Sequence, residues 1–195
     1  MKLTFNYLLL FISSSIVISC NDDATIANNT QQCDSTNTTF NQLYNNLANA
    51  SNNQDVITMD LESHTYTFEV LSNKTICKIG YQSLPTFNTT PYVIEIHDNT
   101  SNTPLYSGSH VFSSTSTSYI AINPIQVVTG HSYTIKRIQT NWNGNIENTI
   151  GRLVNGNITF PVIQGDLKVT GSSFYGTGGP SDDWGIPYID IVFEN

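Results

Sequence analysis

The sequence predicts an all-β chain: an antiparallel β-sandwich of jelly-roll type, preceded by a leader, a tether and one short helix. Three observations lead there. From residue 56 onward, apolar and polar residues alternate with a period of two, the pattern of strands with one buried face. Clusters of Asn, Gly, Pro, Asp and Ser interrupt that pattern at short intervals, as turns do. No helical period lies between the strands, so they pair antiparallel.

Composition narrows the functional classes. Only 11% of the 195 residues are charged, against about 25% in ordinary domains. Asn, Thr and Ser supply the polar surface instead, as 67 residues. Seven basic residues against fifteen acidic ones are too few for a protein that binds nucleic acid by neutralising phosphates. Aromatic and β-branched content is too high for disorder. Leu, Lys, Glu and Ala are too scarce for a helical bundle.

Residues 1–19 read as a secretion signal. Lys2 is its one positive charge, and Leu8 to Ile18 is its apolar stretch. At 11 residues that stretch falls well short of the ~20 that span a bilayer as a helix. It ends in Val17-Ile18-Ser19-Cys20, which resembles a bacterial lipobox. The resemblance implies cleavage before Cys20 and lipid on its thiol and new amino group. Several acyl chains, each stabilised by roughly 0.8 kcal/mol per buried CH₂, would hold the protein on a membrane. Asn21-Asp22-Asp23 is similar to the acidic start of Bacteroidota lipoproteins, which implies an outer-membrane location, periplasmic or surface-exposed. Without Lys2 the side chains sum to −9, a surface that disfavours anionic partners and permits neutral ones such as glycans.

With Cys20 taken by lipid, Cys33 and Cys77 remain. An exported protein permits a disulfide between them. Two unpaired thiols are the alternative. Neither has a CxxC partner or a nearby His, so metal or redox chemistry is not expected of them. Residues 20–38 read as a flexible, solvated tether. Within it Asp34-Ser35-Thr36 resembles the short O-glycosylation motif of Bacteroidota proteins, which implies Ser35 as acceptor.

Residues 39–50 form the helix. Phe40, Leu43, Tyr44, Leu47 and Ala48 fall on one face, and Thr38 or Thr39 can cap its start. The sandwich occupies 56–195. Its strands carry Tyr66-Phe68-Val70, Cys77-Ile79-Tyr81, Tyr92-Ile94-Ile96, Ile120-Ile122, Tyr133-Ile135, Ile158-Phe160, Leu167-Val169 and Ile189-Ile191-Phe193, each set expected to share a face. About 140 residues in eight or nine strands suffice for a core. The order of Ile76–Gly80, Tyr92–Ile96, Pro124–Val127, Gly130–Ile135 and Tyr188–Phe193 is similar to that in small jelly-roll domains of unknown function on secreted bacterial proteins. Those are distantly akin to carbohydrate-binding modules. The resemblance implies the fold, and a function only by analogy.

Catalytic signatures are scarce. The chain has no Gly-x-Ser-x-Gly elbow and no His-Glu-x-x-His. Gly176-Thr177-Gly178-Gly179-Pro180 lacks the Lys-Ser/Thr of a phosphate loop. His64, His97, His110 and His131 read as surface residues. Glu69 and Glu95 sit at outward strand positions, where they could be neighbours, but two exposed carboxylates are the simpler reading. Two tracts stand out. Thr140–Asn148 sets Trp142 among Asn143 and Asn145 in an expected long loop. Ser181–Gly185 sets Trp184 beside Asp182 and Asp183. Loops on a rigid scaffold carry function: indoles stack on sugar faces while Asn and Asp bond hydroxyls. Asp182 and Asp183 could also hold Ca²⁺, although the DxDxDG spacing is missing. Alternatively, both tryptophans plug the sandwich and the Asp pair caps a turn. The expected function is therefore a non-catalytic, lipid-anchored binding module, glycans being its foremost ligands. A structural or adhesive contact with an envelope protein is the alternative, and an unrecognised hydrolase the third reading.

Overall fold

The computed structural model describes residues 32–83, 89–140, 142–144 and 146–194, with the backbone alone at 58–60 and 146–150. The helix, α1, is Thr39–Ala48. Thirteen strands follow among these residues: β1 Asn53–Asp60, β2 Ser63–Val70, β3 Lys74–Tyr81, β4 Tyr92–Asp98, β5 Pro104–His110, β6 Ser118–Val127, β7 Ser132–Gln139, β8 Ile146–Gly156, β9 Val162–Gln164, β10 Leu167–Gly176, β11 Gly179–Asp182, β12 Gly185–Pro187 and β13 Asp190–Phe193.

Antiparallel sheets pack in two layers. The front layer has the order β11-β10-β2-β7-β4-β5, with β9 added to β10. The back layer joins two small sheets, β1-β8-β12 and β13-β3-β6. One stretch of chain links them, leaving β8 at Pro187 and joining β3 at Asp190. Opposed to β2-β7-β4-β5, the pairs β1-β8 and β3-β6 give a jelly-roll order, and the C-terminal segment is inserted between β8 and β3.

Burial follows the layers. In β2, β4 and β7 every second residue is buried, because one face meets the core and the other meets water. Tyr66, Phe68, Ile94, Ile96, Tyr133 and Ile135 point inward. In β3, β12 and β13 nearly every residue is buried. The segment leading into α1 lies against β3 and β13, and α1 itself closes the core beside β13, β9 and β1.

Three expectations need correcting. Cys77 does not share the face of Ile79 and Tyr81. A bulge at Cys77 shifts the register against β13, so Ile76 and Ile79 both reach the core, while Cys77 and Lys78 both meet Cys33. Ile158 and Phe160 are not in a strand: Gly156, at φ +133°, ends β8, and Pro161 offers no ladder donor. Both side chains still pack on the core. Finally, the tract expected as a loop up to Asn148 becomes strand β8 at Ile146.

The helix starts where Thr38 caps it, its hydroxyl accepting from Asn41 N at 2.9 Å. Ten residues do not hold a helix in water, so packing must. Phe40 stacks on Tyr66 at 5.2 Å, and Tyr44 meets Tyr188 edge-on at 4.8 Å. Each such pair adds about 0.5–1.5 kcal/mol beyond burial. The end of the stretch read as a tether is also seated. Cys33 is bonded to Cys77, with Cα atoms 6.1 Å apart, and its carbonyl accepts from Lys78 Nζ at 2.8 Å.

Asp190 completes this seat. It is fully buried, and it accepts from the Thr38 hydroxyl at 2.7 Å and from Tyr119 Oη at 2.8 Å. Gly80 makes room for it, since a Cβ there would lie 2.5 Å from the Tyr119 ring. Burial drives the Asp190 carboxyl up, the two hydroxyls draw it partly back, and it rests at about 6. The folded protein thus holds this proton more tightly than the unfolded chain does. The resulting stability is present in full below about pH 4 and is lost as pH rises through about 6. Denaturant unfolding at pH 4 and at pH 7 tests this. From the lower to the higher pH, wild type is expected to lose about 2 kcal/mol relative to Asp190→Asn. Parallel profiles would refute it.

Candidate functional site

The register sets the two tryptophan tracts at different heights of the sandwich. Ser63 of β2 pairs with Ile138 of β7 and with Tyr175 of β10, so the end of β7 and the end of β10 lie level. Trp142 follows β7 by three residues. Trp184 follows β11, which runs back from that end until Asp182 stands level with Ser173, Thr65 and Lys136; β11 is also three strand positions from β7, or roughly 14 Å at the usual strand spacing. The two tracts are therefore apart both along and across the sheet.

Trp184 is 47% exposed. Its ring stands edge-on against buried Phe174, with centroids 6.0 Å apart. The turn beneath it is fixed by Asp183, which sits at φ +56°. Asp183 Oδ1 accepts from Ser172 N at 2.9 Å, and Asp183 N donates to Ser172 O at 2.9 Å. Asp183 therefore braces the backbone. Asp182 lies across from Ser173 and shares the outer face of the front layer with it. Asp183 Oδ1 is engaged by Ser172 N of β10, while Asp182 stands exposed on the outer face. Among the described residues no group of three His, Cys, Asp or Glu could hold a metal.

Trp142 is half-buried, and its Nε1 is shielded from solvent. Asn143 beside it is exposed, and Asn145 lies outside the described residues. Cys20 lies outside them as well, and no described helix is long and apolar enough to cross a membrane. Ser35 is half-buried inside a turn closed by Asp34 Oδ1, which accepts from Thr36 N at 2.8 Å.

Sequence reasoning missed three residues here. Tyr175 is 46% exposed and pairs with Pro180 on the outer face. The alternation that buries Phe174 turns Tyr175 outward. His64 was expected at the surface but is 1% exposed. It shares the inward parity of Tyr66 and Phe68, and its ring meets Phe174 at 5.1 Å. Arg137 is fully buried: Tyr133 and Ile135 set an inward parity that continues through Arg137 to Gln139. Its Nη1 donates to Leu61 O at 2.9 Å, and its guanidinium lies over Tyr92 at 5.1 Å and Tyr81 at 5.7 Å.

The remaining candidates are dispersed. Glu69 is paired with Lys168 at 3.0 Å, and Glu95 with His97 at 3.0 Å. They stand opposite Ser132 and Lys136 on either side of β7, which puts them roughly 16 Å apart. A glycosidase pair needs about 5–9.5 Å. His131 Nδ1 lies 2.6 Å from Asp98 Oδ2. The Thr100 hydroxyl and amide, then His131, hold the Asp98 carboxyl down at about 2. His110 packs on Tyr106 at the sheet edge. A polar groove of about 290 Å³ on the back layer is lined by Asp55, Ile57, Gln82 and Arg152, but Arg152 is held in a bidentate pair with Asp55.

Outward residues form continuous rows across the front layer. One row runs Asp182, Ser173, Thr65, Lys136, Glu95, Ser107. Next to it, Pro180 and Tyr175 begin another, which ends at buried Ser63. This open face of hydroxyls, bordered by Tyr175, is what the geometry offers to a ligand.

No protein family matches the chain, and no curated protein or solved structure matches it either. The fold defines the class, an all-β antiparallel sandwich with its N-terminal segment stapled to the core. Any assignment of function rests on the chain's own residues.

Proposed function

We propose that this chain is a non-catalytic module of the cell envelope that binds glycans at the β10–β11 edge of its sandwich. In this reading it is held at the outer membrane by lipid on Cys20. The observation that carries it is Trp184, half exposed on a braced seat: its ring rests on Phe174, and its turn is tied to Ser172 by two hydrogen bonds. An aromatic face held open offers an apolar platform without an ordering penalty. Tyr175 supplies a second half-exposed ring, and Asp182, Ser173 and Thr65 supply acceptors and donors for hydroxyls. The acidic balance of the chain favours neutral sugars over anionic ones.

Screening wild type, Trp184→Ala and Tyr175→Ala on a glycan array tests the reading. Wild type is expected to bind, each variant at least tenfold more weakly. Trp184→Ala is expected to cost about 1–3 kcal/mol, because half of its ring is packed on Phe174, so binding is compared far below the unfolding midpoints of all three proteins. Unchanged binding in both variants would overturn the site. An empty array with one stably captured envelope protein would favour an adhesive role instead.

A further inference from the structure

The two lateral sides of the sandwich are finished differently. On one side, β11 and β9 have only four and three residues, β1 carries the Asp55–Arg152 pair, and α1 packs alongside. Short strands, charges and covering helices are how soluble sheets blunt their edges. On the other side lie β5 and β6, the end strands of the front and back layers, in contact with each other. No Lys, Arg, Asp or Glu stands between Asp98 and Lys136, a stretch that contains both strands. All 22 charged residues of the chain lie outside it.

Of these two edges β6 is interrupted, because exposed Pro124 stands where its register against β3 shifts. β5 is not. Its proline, Pro104, is the first residue, and every residue from Leu105 to His110 keeps a backbone N–H. Among the described residues β5 pairs only with β4. A row of amides and carbonyls therefore faces outward along about 20 Å of strand. Leu105 and Val111 are 44% and 49% exposed beside it.

We propose that β5 is the docking edge for a second copy of this chain, the two β5 strands pairing antiparallel about a two-fold axis. Such a pairing is self-complementary, since each strand offers its partner the same donors and acceptors. Charge selects the occupant. Each copy carries a formal −8, so two copies repel wherever their charged surfaces meet. The long stretch without charge is where they can meet with least repulsion. A basic partner would find its complement elsewhere on this surface. Because β6 flanks β5, the contact is two layers deep. The inference does not depend on glycan binding.

Sedimentation equilibrium of the purified full chain in density-matched detergent tests it. Wild type is expected at about twice the 21.6 kDa chain mass. Leu105→Lys combined with Ser109→Lys, both at exposed β5 positions, is expected at the monomer mass with an unchanged melting temperature. In that variant like charges would face each other across the pair. Ser181→Lys, on the opposite edge, should leave the dimer intact. A monomeric wild type at the highest workable concentration would overturn the proposal. So would a dimer that survives the double substitution, or one that dissociates with Ser181→Lys. Glycan binding by the monomeric double variant would separate this result from the fate of the glycan reading.

Discussion

Replacing both Cys33 and Cys77 with serine is expected to lower the unfolding free energy by about 4 kcal/mol in the chain-entropy account of a 44-residue separation. Much of the effect lies in the unfolded state, where the bond shortens the accessible chain. Part lies in the fold. Without the bond, the segment before α1 is held on the back layer by Lys78 through the Cys33 carbonyl and by Thr38 on Asp190. Guanidinium unfolding of the double variant, and of wild type with and without reductant, measures this. The variant and reduced wild type should coincide, both with midpoints well below that of oxidised wild type. A shift under about 1 kcal/mol would show that the loop is already restrained in the unfolded chain.

The second large effect is expected at Arg137. Arg137→Ala should destabilise the fold by about 2–5 kcal/mol, the range for truncating a large, fully buried side chain. The loss has separable parts. Leu61 O loses a donor, two tyrosine rings lose the cation they flank, and a long side chain leaves a cavity. Arg137→Met restores much of the volume but neither the hydrogen bond nor the charge. It should recover at least 1 kcal/mol of the loss. Equal destabilisation by the two substitutions, read from denaturation midpoints, would mean that packing plays no part. A loss below about 1 kcal/mol for alanine would remove the cluster from the list of stabilising features.

The core faces of β2, β4, β7 and β10 could be read from the sequence because each has one wet side. Tyr66-Phe68-Val70 and Tyr92-Ile94-Ile96 alternate for that reason. The back layer was less legible. Ile189-Ile191-Phe193 shows its core face by alternation, but nothing there shows that Asp190 and Val192 are covered as well, and the bulge at Cys77 reverses the alternation within β3. β5 left little trace because, as an edge strand, it is mostly exposed. The helix was legible from a single apolar face, and it ends at Ala48, two residues before the expected boundary. At the candidate site, the sequence shows two tryptophans in polar loops. It does not show that Asp183 would turn inward to brace Ser172. It does carry the signals for Tyr175, His64 and Arg137, since the parity of neighbouring residues assigns all three.

The Cys33–Cys77 bond also decides how the molecule carries a pull. Any tension applied to the chain ahead of Cys33 crosses the bond and enters the domain at β3, between β13 and β6. Residues 34–76, which include α1, β1 and β2, form a covalent ring that lies off the line of force. The ten-residue helix, which depends on packing to hold, therefore carries no load, and traction from ahead of Cys33 is borne by a central strand of the back layer.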